Sequence, residues 1–417
     1  MAFDHLAKLI KEGNSTIAFT RNGQTLFHIP PRTVQGEHAG RVGGGIAMQR
    51  ATIEKMLNSV DIRINGTRAW DMQVHREQLF QRIARRGSLG LGEAYMDGWW
   101  DCEALDEAIC RILRGRLDRR FRLTLPDMLA AVAFAVRNLQ SVARSTLVAE
   151  RHYDFSNEMF AAMLGPTMQY SCGYWEGARN LDEAQEAKMD LICRKLHLEE
   201  GMRVLDIGCG WGGLGRYMAE RYKVRFSGVT VSKEQLRYAE EHSRGLNLRW
   251  RLEDYRSLRE KYDRIVSVGM FEHVGHKNYA TFMRTVRGLL EADGLFLLHT
   301  IGTNQESHSG DPWIEKYIFP NGMLPSIADI GRAIARRFVM EDWHNFGAYY
   351  DRTLMAWARN FRRGREEGRF RCEERIARMF RYYLLSCAGL FRARSTQLWQ
   401  LVLSPKGLMG GYCRPVR

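Results

Sequence analysis

The sequence predicts an α/β protein whose main domain is a doubly wound, mostly parallel sheet, preceded by a smaller, mainly helical domain of α+β type. In the main domain, short apolar runs alternate with stretches of helical length and periodicity, and the first run ends in a glycine-rich segment at 208–213. Strands alternating with helices of about 10–15 residues are typical of parallel sheets with helices on both faces. The predicted strands are residues 202–208, 226–232, 263–269 and 294–300.

The segments between these runs predict the helices of the main domain. Apolar residues recur at helical spacing near 214–221, 234–244 and 279–290. Because each segment lies between two predicted strands, we expect each helix to cross from one parallel strand to the next.

The preceding region is less regular. Residues 62–66 resemble a short strand, residues 76–86 an amphipathic helix, and residues 112–149 one or two arginine- and alanine-rich helices that Pro126 interrupts. The predicted parts of the chain are a poorly ordered extension (1–55), a small N-terminal domain (56–140), a linker (141–152) and the main domain (153–417).

The charge of the chain is unusually positive. Its 417 residues include 62 Lys and Arg against 48 Asp and Glu, a net charge of +14. Arg111–Arg151 carries a net +6 and Arg352–Arg394 a net +8, so these two segments account for the whole excess. Such surfaces commonly face a polyanion, either nucleic acid or anionic lipid. The alternative is two solvated arginine-rich helices.

No segment predicts secretion, a membrane span or a metal site. The first 13 residues are charged and carry no signal-like apolar run. The longest apolar run, 128–136, is shorter than the roughly 20 residues of a spanning helix. The eight cysteines form no C-x-x-C pair and have no zinc-like spacing with histidine. We expect a cytoplasmic protein with reduced thiols that meets any membrane from one side.

The glycine segment predicts a cofactor site. Asp206 precedes the glycines, where it could pair with a ligand ammonium or order the loop, and the second strand ends at 229–232 without the acidic residue that dinucleotide folds carry for the ribose. Asp254 and Tyr255 follow the end of a third strand and suit an adenine amino group and a stacking face. This combination favours S-adenosylmethionine and a Rossmann-like class I methyltransferase fold over dinucleotide binding.

A basic methyltransferase suggests a nucleic-acid substrate, but the expected chemistry is missing. Amino-methylating enzymes of that kind usually carry an Asn/Asp-Pro-Pro-aromatic element after the fourth strand, where this chain has 269–275 without proline. No cysteine follows a proline, as the nucleophile of a cytosine C5 enzyme would. We therefore expect no nucleic-acid partner, although the electrostatics leave an RNA methyltransferase as an alternative.

Seven long motifs lie at 170–175, 204–213, 228–235, 263–275, 296–302, 311–326 and 340–351. Together they resemble the motifs of the bacterial cyclopropane-fatty-acyl-phospholipid synthases. The segment 87–100 also resembles the N-terminal domain of the phospholipid-acting members, which implies that 56–140 is a lipid-binding domain and 153–417 the catalytic domain. The resemblance runs from about residue 60 to the C-terminus.

The resemblance implies methylene transfer from S-adenosylmethionine to the cis double bond of an acyl chain in a membrane phospholipid. Methyl transfer leaves a carbocation, which aromatic faces can stabilise without capturing it. A buried core role is the alternative for each aromatic residue in these motifs. The candidates are Trp175, Tyr317, Phe319, Trp343 and Phe346.

The resemblance also implies that a bound bicarbonate removes the proton that ring closure releases. His and Tyr side chains can donate hydrogen bonds to such an anion, backbone groups of Cys172 and Ile301 can complete the cage, and Glu272 can accept the bicarbonate hydroxyl or orient His299. A covalent nucleophile and a buried small residue are the alternatives for Cys172. The implied catalytic residues are Cys172, Glu272, His299, Ile301 and Tyr350.

Residues of the same motifs are expected to bind the cofactor. Thr230 stands where many methyltransferases have an acid, and Tyr255 keeps a stacking face where the mycolic-acid relatives have Trp. The expected S-adenosylmethionine residues are Tyr170, Ser171, Asp206, Gly208, Gly210, Gly212, Thr230, Gln235, Asp254 and Tyr255.

The expected partners follow from the same resemblance. They are unsaturated phospholipids at an anionic membrane surface and a second copy of the chain in a homodimer, with the enzyme held peripherally at the inner face of the cell membrane. Within the family, a lipid methyltransferase that gives branched or hydroxylated chains is an alternative. Outside it, a catalytically idle membrane-binding module is another.

Overall fold

A computed structural model describes residues 17–21, 24–29, 42–119, 156–306 and 310–416. The first 48 residues form a unit by themselves, which contains an antiparallel hairpin of β1 (Ile17–Arg21) and β2 (Gln24–Ile29). The segment predicted as a poorly ordered extension therefore includes a hairpin and, from Val42, the beginning of a helix.

The described residues after 48 form one compact unit, in which the N-terminal region, 49–119, is mainly helical. The predicted strand at 62–66 is wrong, because only a single bridge joins Ile64 to Met72. The helix predicted at 76–86 extends through the glycine-rich segment to Met96, with a kink at Gly87. The elements of the region are α1 (Val42–Asn58), β3 (Gln73–Val74), α2 (Gln78–Met96), β4 (Trp100–Asp101) and α3 (Leu105–Arg114).

The helical prediction for 112–149 can be compared with the structure only at its start. Helix α3 ends at Arg114, and a short 3₁₀ turn covers Leu117–Arg119. The remainder of this stretch, the predicted linker 141–152 and most of the basic segment Arg111–Arg151 lie outside the described residues.

The main domain is built on a seven-stranded, mostly parallel sheet, as the sequence predicts. The strand order is β10-β11-β9-β8-β5-β6-β7, in which β5 to β9 run parallel and β10 and β11 add antiparallel at one edge. The strands are β5 (Arg203–Ile207), β6 (Arg225–Thr230), β7 (Leu248–Leu252), β8 (Tyr262–Val268), β9 (Leu290–Gly302), β10 (Val339–Asn345) and β11 (Gln397–Ser404).

Helices cover both faces of the sheet, and the three predicted ones are confirmed within about three residues. Side-chain caps fix several starts: Asn180 accepts from the Glu183 amide, and Ser326 and Asp329 form a capping box. The helices are α4 (Asn157–Leu164), α5 (Leu181–Lys195), α6 (Gly213–Tyr222), α7 (Lys233–Glu241), α8 (Tyr279–Leu289), α9 (Pro312–Tyr317), α10 (Ile327–Ile334), α11 (Ala348–Glu366) and α12 (Glu374–Arg392).

Topology determines where a ligand can bind. Strand β5 is central: β6 follows it on one side and β8 lies on its other side, so the chain reverses its direction of winding there. In open α/β sheets the carboxyl ends of the strands form a crevice at this reversal. The ends of β5, β6 and β8 carry Ile207, Thr230 and Val268, which line a common cavity.

Four of the twelve arginines in the basic segment Arg352–Arg394 are paired with the N-terminal region of the protein, which corrects the interpretation of the whole segment as an anion-facing surface. Arg378 donates to the Tyr95 and Trp100 carbonyls and to Asp101, and Arg381 donates to the Tyr95 hydroxyl. Arg392 pairs with Asp106, Glu107 and Asp351, and Arg375 pairs with Asp97. These four arginines of α12 hold the N-terminal region against the main domain. Their guanidinium groups therefore bind partners within the protein.

Candidate active site

The glycine segment after β5 follows a path that requires glycine at two positions. Gly208 has φ +90°, and a Cβ there would lie 2.7 Å from the Met270 side chain. Gly212 has φ +81°, and a Cβ there would lie 2.8 Å from the Trp250 ring. Only glycine combines this conformation with this space. The turn therefore passes directly into α6, whose first backbone amides face the sheet edge.

A cavity of about 560 Å³ lies at this edge. Its volume is within the range of small-molecule sites, about 300–1,000 Å³. Twelve of the predicted site residues line it, while Cys172 and His299 are buried nearby and Gly212 supports the turn. The predicted residues in its wall are Tyr170, Ser171, Asp206, Gly208, Gly210, Thr230, Gln235, Asp254, Tyr255, Glu272, Ile301 and Tyr350.

Asp206 is fully buried beside a lysine that the sequence analysis missed. Burial raises the pKa of Asp206 to about 7, although the nearby Lys188 ammonium lowers it in part. Lys188 donates to Gln169 Oε1 at 2.6 Å and to Ser171 Oγ at 2.8 Å. Lys188 therefore fixes the segment before Cys172, and Asp206 Oδ1 has no partner among the described residues.

Two short polar networks shape the outer part of the cavity. The Thr230 hydroxyl donates to Gln235 Oε1 at 3.0 Å and accepts from the Ser232 amide at 3.2 Å. Burial opposes the charge on Asp254, but hydrogen bonds from Arg256 outweigh this effect and lower the pKa of Asp254. The carboxylate predicted to bind the adenine thus remains ionised, although Arg256 already occupies part of its bonding capacity.

Glu272 lies just after β8 and is buried. Its Oε1 accepts the Ile301 amide at 2.6 Å, so the backbone group expected in the anion cage supports Glu272 instead. Its Oε2 has no partner among the described residues. Burial raises the pKa of Glu272 to about 7, although the Ile301 bond partly offsets this.

His299 is fully buried on β9, two residues before Ile301. Its Nδ1 lies 3.2 Å from Gln400 Nε2, and its Nε2 has no partner among the described residues. Burial and the ammonium groups of Lys188 and Lys195 hold the pKa of His299 well below its ordinary value. The imidazole is therefore neutral and presents one unsatisfied nitrogen.

Cys172 is a buried thiol. Burial raises its pKa above the ordinary value, so the nucleophilic thiolate is disfavoured. Thr353 fixes the segment around it, because Oγ1 accepts from the Gly173 amide at 3.1 Å and from Trp175 Nε1 at 2.9 Å. The geometry favours a backbone role for Cys172.

Tyr350 lies in the first turn of α11 and lines the cavity where α11 and α12 form its wall. Burial, and then the neighbouring Cys172 and Glu272, hold the pKa of Tyr350 well above its ordinary value, so the hydroxyl remains a donor. Its ring contacts Phe391 at a centroid distance of 4.5 Å, and Phe391 lines the same cavity. Tyr350 thus connects the polar site with an apolar extension.

Comparison with known proteins places the chain in a family. A family model for mycolic acid cyclopropane synthetase matches residues 140–401. The cyclopropane-fatty-acyl-phospholipid synthase of Escherichia coli strain K12 is 51% identical over 357 residues, covering 86% of this chain and 93% of that protein. The chain belongs to this family. It is therefore an enzyme of the S-adenosylmethionine-dependent methyltransferase class.

Solved structures of the family share the main domain. The cyclopropane synthase MmaA2 from Mycobacterium tuberculosis is 32% identical, with a TM-score of 0.59 over 64% of this chain and 99% of that chain. Mycolic acid cyclopropane synthase CmaA1 complexed with SAH and CTAB is 34% identical, with a TM-score of 0.57 over 62% and 97% of the two chains. The match to the Escherichia coli enzyme is longer than the chain from residue 140 to its end, so it includes part of the N-terminal region.

The aromatic candidates do not all meet at the site of this family member. Phe319 lines the cavity, and Phe346 contacts His299 at a ring-centroid distance of 5.8 Å. Trp175 lies under Arg352, Tyr317 bonds to Glu93, and Trp343 packs on Trp399, all outside the cavity wall. Of the five candidates, Phe319 lines the cavity, whereas Phe346 reaches the site only through its contact with His299.

Sequence reasoning missed several residues that shape the site. Lys188, Thr353 and Gln400 act on predicted residues through long-range contacts, and His273 lines the cavity with a pKa that burial lowers to about 4. Lys188, Thr353 and Gln400 lie outside the motifs used for the prediction of chemistry, whereas His273 lies within the motif 263–275 but was assigned no role.

Neither a metal cluster nor a membrane-spanning helix was found in the part of the chain that the structure describes. No three or more His, Cys, Asp and Glu side chains are grouped there to hold a metal ion. None of the helices there has the length and apolarity needed to cross a bilayer.

Proposed function

We propose that this enzyme transfers a methylene group from S-adenosylmethionine to the cis double bond of unsaturated acyl chains in membrane phospholipids, giving cyclopropane fatty acids, with bicarbonate as the base. The observation that carries the proposal is that two buried atoms, His299 Nε2 and Glu272 Oε2, have no partner among the described residues, while Glu272 contacts β9 at Ile301, two residues after His299. One can donate and the other can accept, which suits an anion that carries one hydroxyl. The family of the chain supports the formation of cyclopropane fatty acids.

The residues at the sheet edge fit the cofactor. Asp206 and the glycine turn can hold the amino-acid part, and Asp254 with Tyr255 can hold the adenosine part. When bound, S-adenosylmethionine supplies a methyl group on a sulfonium centre. Because an alkene is a weak nucleophile, the wall must exclude water and align this methyl with the double bond.

The apolar extension fits an acyl chain. Ile314, Phe319, Leu390 and Phe391 line it, and Tyr350 lies where it meets the polar site. Aromatic faces can stabilise the carbocation that methyl transfer leaves on the chain, and they add no nucleophile. The neutral thiol of Cys172 likewise avoids capturing the cation.

The polar residues next to it can hold bicarbonate, which supplies the base when bound. His299 Nε2 and the Tyr350 hydroxyl can donate to its oxygens, and Glu272 Oε2 can accept its hydroxyl. The use of bicarbonate as the base also protects the enzyme, because a protein carboxylate placed directly beside the sulfonium or the carbocation would risk alkylation. The Ile301 amide donates to Glu272 Oε1 and so fixes the side chain, with Oε2 as the acceptor.

Labelled S-adenosylmethionine tests the function directly. We expect purified protein to add one CH₂ to unsaturated phospholipid in vesicles and the product to resist ozonolysis, with a rate that falls when bicarbonate is removed. An ozone-sensitive product of the same mass would indicate branched, unsaturated chains. Label in RNA and none in lipid would refute the proposal.

We also propose that one face of α11 meets anionic lipid. Arg352, Arg359 and Arg363 lie on this face and line a cleft of about 610 Å³ with Arg179. Arg352 is exposed over the Trp175 ring at 4.4 Å, and among the described residues no ion pair joins Arg359 to a carboxylate. Each arginine near an anionic surface contributes about 1 kcal/mol. The N-terminal domain, 56–140, would add lipid contacts of its own.

Homodimer formation and peripheral association at the inner face of the membrane are further proposals based on the family resemblance. Sedimentation equilibrium of the purified chain tests the first. Flotation with vesicles tests the second.

A further inference from the structure

The environment of His299 contains a polar contact that the proposed chemistry does not yet use. His299 on β9 lies directly opposite Gln400 on β11, and Gln400 lies opposite His344 on β10. Residues paired in this way project to the same face of a sheet. Gln400 is fully buried, and its Nε2 lies 3.2 Å from His299 Nδ1.

This contact determines which nitrogen of His299 carries the proton. A neutral imidazole has one N–H donor and one lone-pair acceptor. With the amide nitrogen of Gln400 facing His299, Nδ1 accepts, and the proton resides on Nε2. Nε2 is the atom that has no partner among the described residues.

The charged groups around His299 favour the same neutral state. Lys188 and Lys195 both approach from α5 and oppose protonation of the imidazole. Lys195 Nζ lies 3.1 Å from Asp342 and 3.3 Å from His344 Nδ1 on β10. Glu272 also contacts β9, where the Ile301 amide donates to its Oε1.

We propose that Gln400 is a positioning residue for cyclopropanation: by donating to Nδ1 it keeps the His299 proton on Nε2, so that the imidazole presents a donor to the bound anion. The opposite tautomer would place a lone pair against that anion and would make His299 compete for the proton released on ring closure. Gln400 itself does not line the cavity. The role rests on the proposed function, although the tautomer can be measured without it.

Gln400→Glu tests the role because it makes the tautomer depend on pH. While His299 and the introduced carboxyl share two protons, Nε2 keeps its hydrogen, whichever group holds the second proton. When the pair loses one proton as pH rises, the carboxylate accepts from Nδ1–H and Nε2 becomes a lone pair. We expect kcat to fall about a hundred-fold across this transition, the size seen when one donor to a reacting anion is lost. S-adenosylmethionine affinity should be unchanged.

Spectroscopy provides the readout that does not need turnover. Long-range ¹H–¹⁵N correlation spectra of histidine-labelled protein identify the protonated ring nitrogen, and His299→Gln assigns the signal among the 12 histidines. We expect protonated Nε2 in the wild type at all working pH values and a change to protonated Nδ1 in Gln400→Glu at high pH. Gln400→Leu, which removes the donor, should show both tautomers and a pH-independent loss of several-fold.

Gln397→Glu is the matched control, since Gln397 is buried on the same strand but on the opposite face. It should leave both the tautomer and the pH profile unchanged. Protonated Nδ1 in the wild type would overturn the proposal, as would a switched tautomer without any change in kcat. A wild-type enzyme that makes no cyclopropane lipid refutes the proposed function instead, and the tautomer measurement still stands separately.

Discussion

Glu93→Gln should weaken the attachment of the N-terminal region to the main domain. Glu93 is buried in α2, and its carboxylate lies 2.7 Å from Lys316 Nζ and 3.0 Å from the Tyr317 hydroxyl on α9. Arg82 lies 3.1 Å from the same carboxylate, and Arg86 is also bonded to it. Glutamine keeps the size of the side chain but leaves these cations without their shared counter-charge.

The pKa of Glu93 gives the size of its contribution to the free energy of unfolding. Burial opposes the charge on Glu93, but the bonds from Lys316, Arg82 and Tyr317 outweigh it and lower the pKa from 4.5 to about 2. At about 1.4 kcal/mol per pKa unit, the carboxylate stabilises the fold by about 3 kcal/mol at neutral pH. A lowered folded-state pKa means that this stabilisation is complete above pH 4.5 and disappears as pH falls toward 2.

Urea unfolding of the wild type and Glu93→Gln checks this value. The difference in unfolding free energy should be about 3 kcal/mol at neutral pH and should shrink as pH falls to about 3. Glu366→Gln is the control: this exposed residue lies 3.8 Å from Arg362, and its loss should cost less than about 1 kcal/mol. A difference below 1 kcal/mol for Glu93→Gln, or one that does not change with pH, would refute the reasoning.

Three further predictions concern the site and its surroundings. Glu272→Gln should abolish cyclopropanation while calorimetry shows near wild-type S-adenosylmethionine affinity, because the Ile301 amide would hold the glutamine oxygen and the NH₂ group in the place of Oε2 donates and cannot accept the bicarbonate hydroxyl. Cys172→Ser should keep substantial turnover, because the thiol is neutral and its neighbouring backbone is held by Thr353. Arg352→Gln combined with Arg359→Gln should weaken binding to phosphatidylglycerol vesicles about 30-fold at low salt, at about 1 kcal/mol per arginine.

Each of these predictions has an outcome that contradicts it. Unchanged turnover in Glu272→Gln would remove its assigned role, and complete loss in Cys172→Ser with intact cofactor binding would restore a covalent nucleophile. For the arginine pair, the exposed Arg284→Gln and Arg287→Gln double variant of α8 is the control. Equal effects of the two double variants, or binding that resists high salt, would show that α11 is an ordinary solvated helix.

The sequence predicted the elements of the parallel sheet but not its antiparallel edge. The runs that became β5, β6, β8 and β9 are bounded by turns and helical segments, so their pattern is local. Strand β11 is buried along its whole length. Strand β10 lies beside it in the sheet, but two long helices separate the two strands in the sequence. No local pattern states that such distant strands pair, because pairing depends on the fold that forms around them.

The residue types that could perform the chemistry were determined by sequence, since motif positions place Asp206, Glu272 and His299 near the ends of strands and Tyr350 in the first turn of α11. The protonation states of these groups were determined by the tertiary structure. Lys188 changes the pKa of Asp206, and Gln400 fixes the nitrogen of His299, each across a long stretch of chain.

The net charge of +14 also has a part that the sequence determines and a part that the tertiary structure determines. Counting along the sequence located the excess in two segments. Only the packed structure shows that Arg375, Arg378, Arg381 and Arg392 bind the N-terminal region, while Arg352 and Arg359 remain exposed. A charge is a property of the residue, but whether it faces solvent or a carboxylate depends on which distant element packs against it.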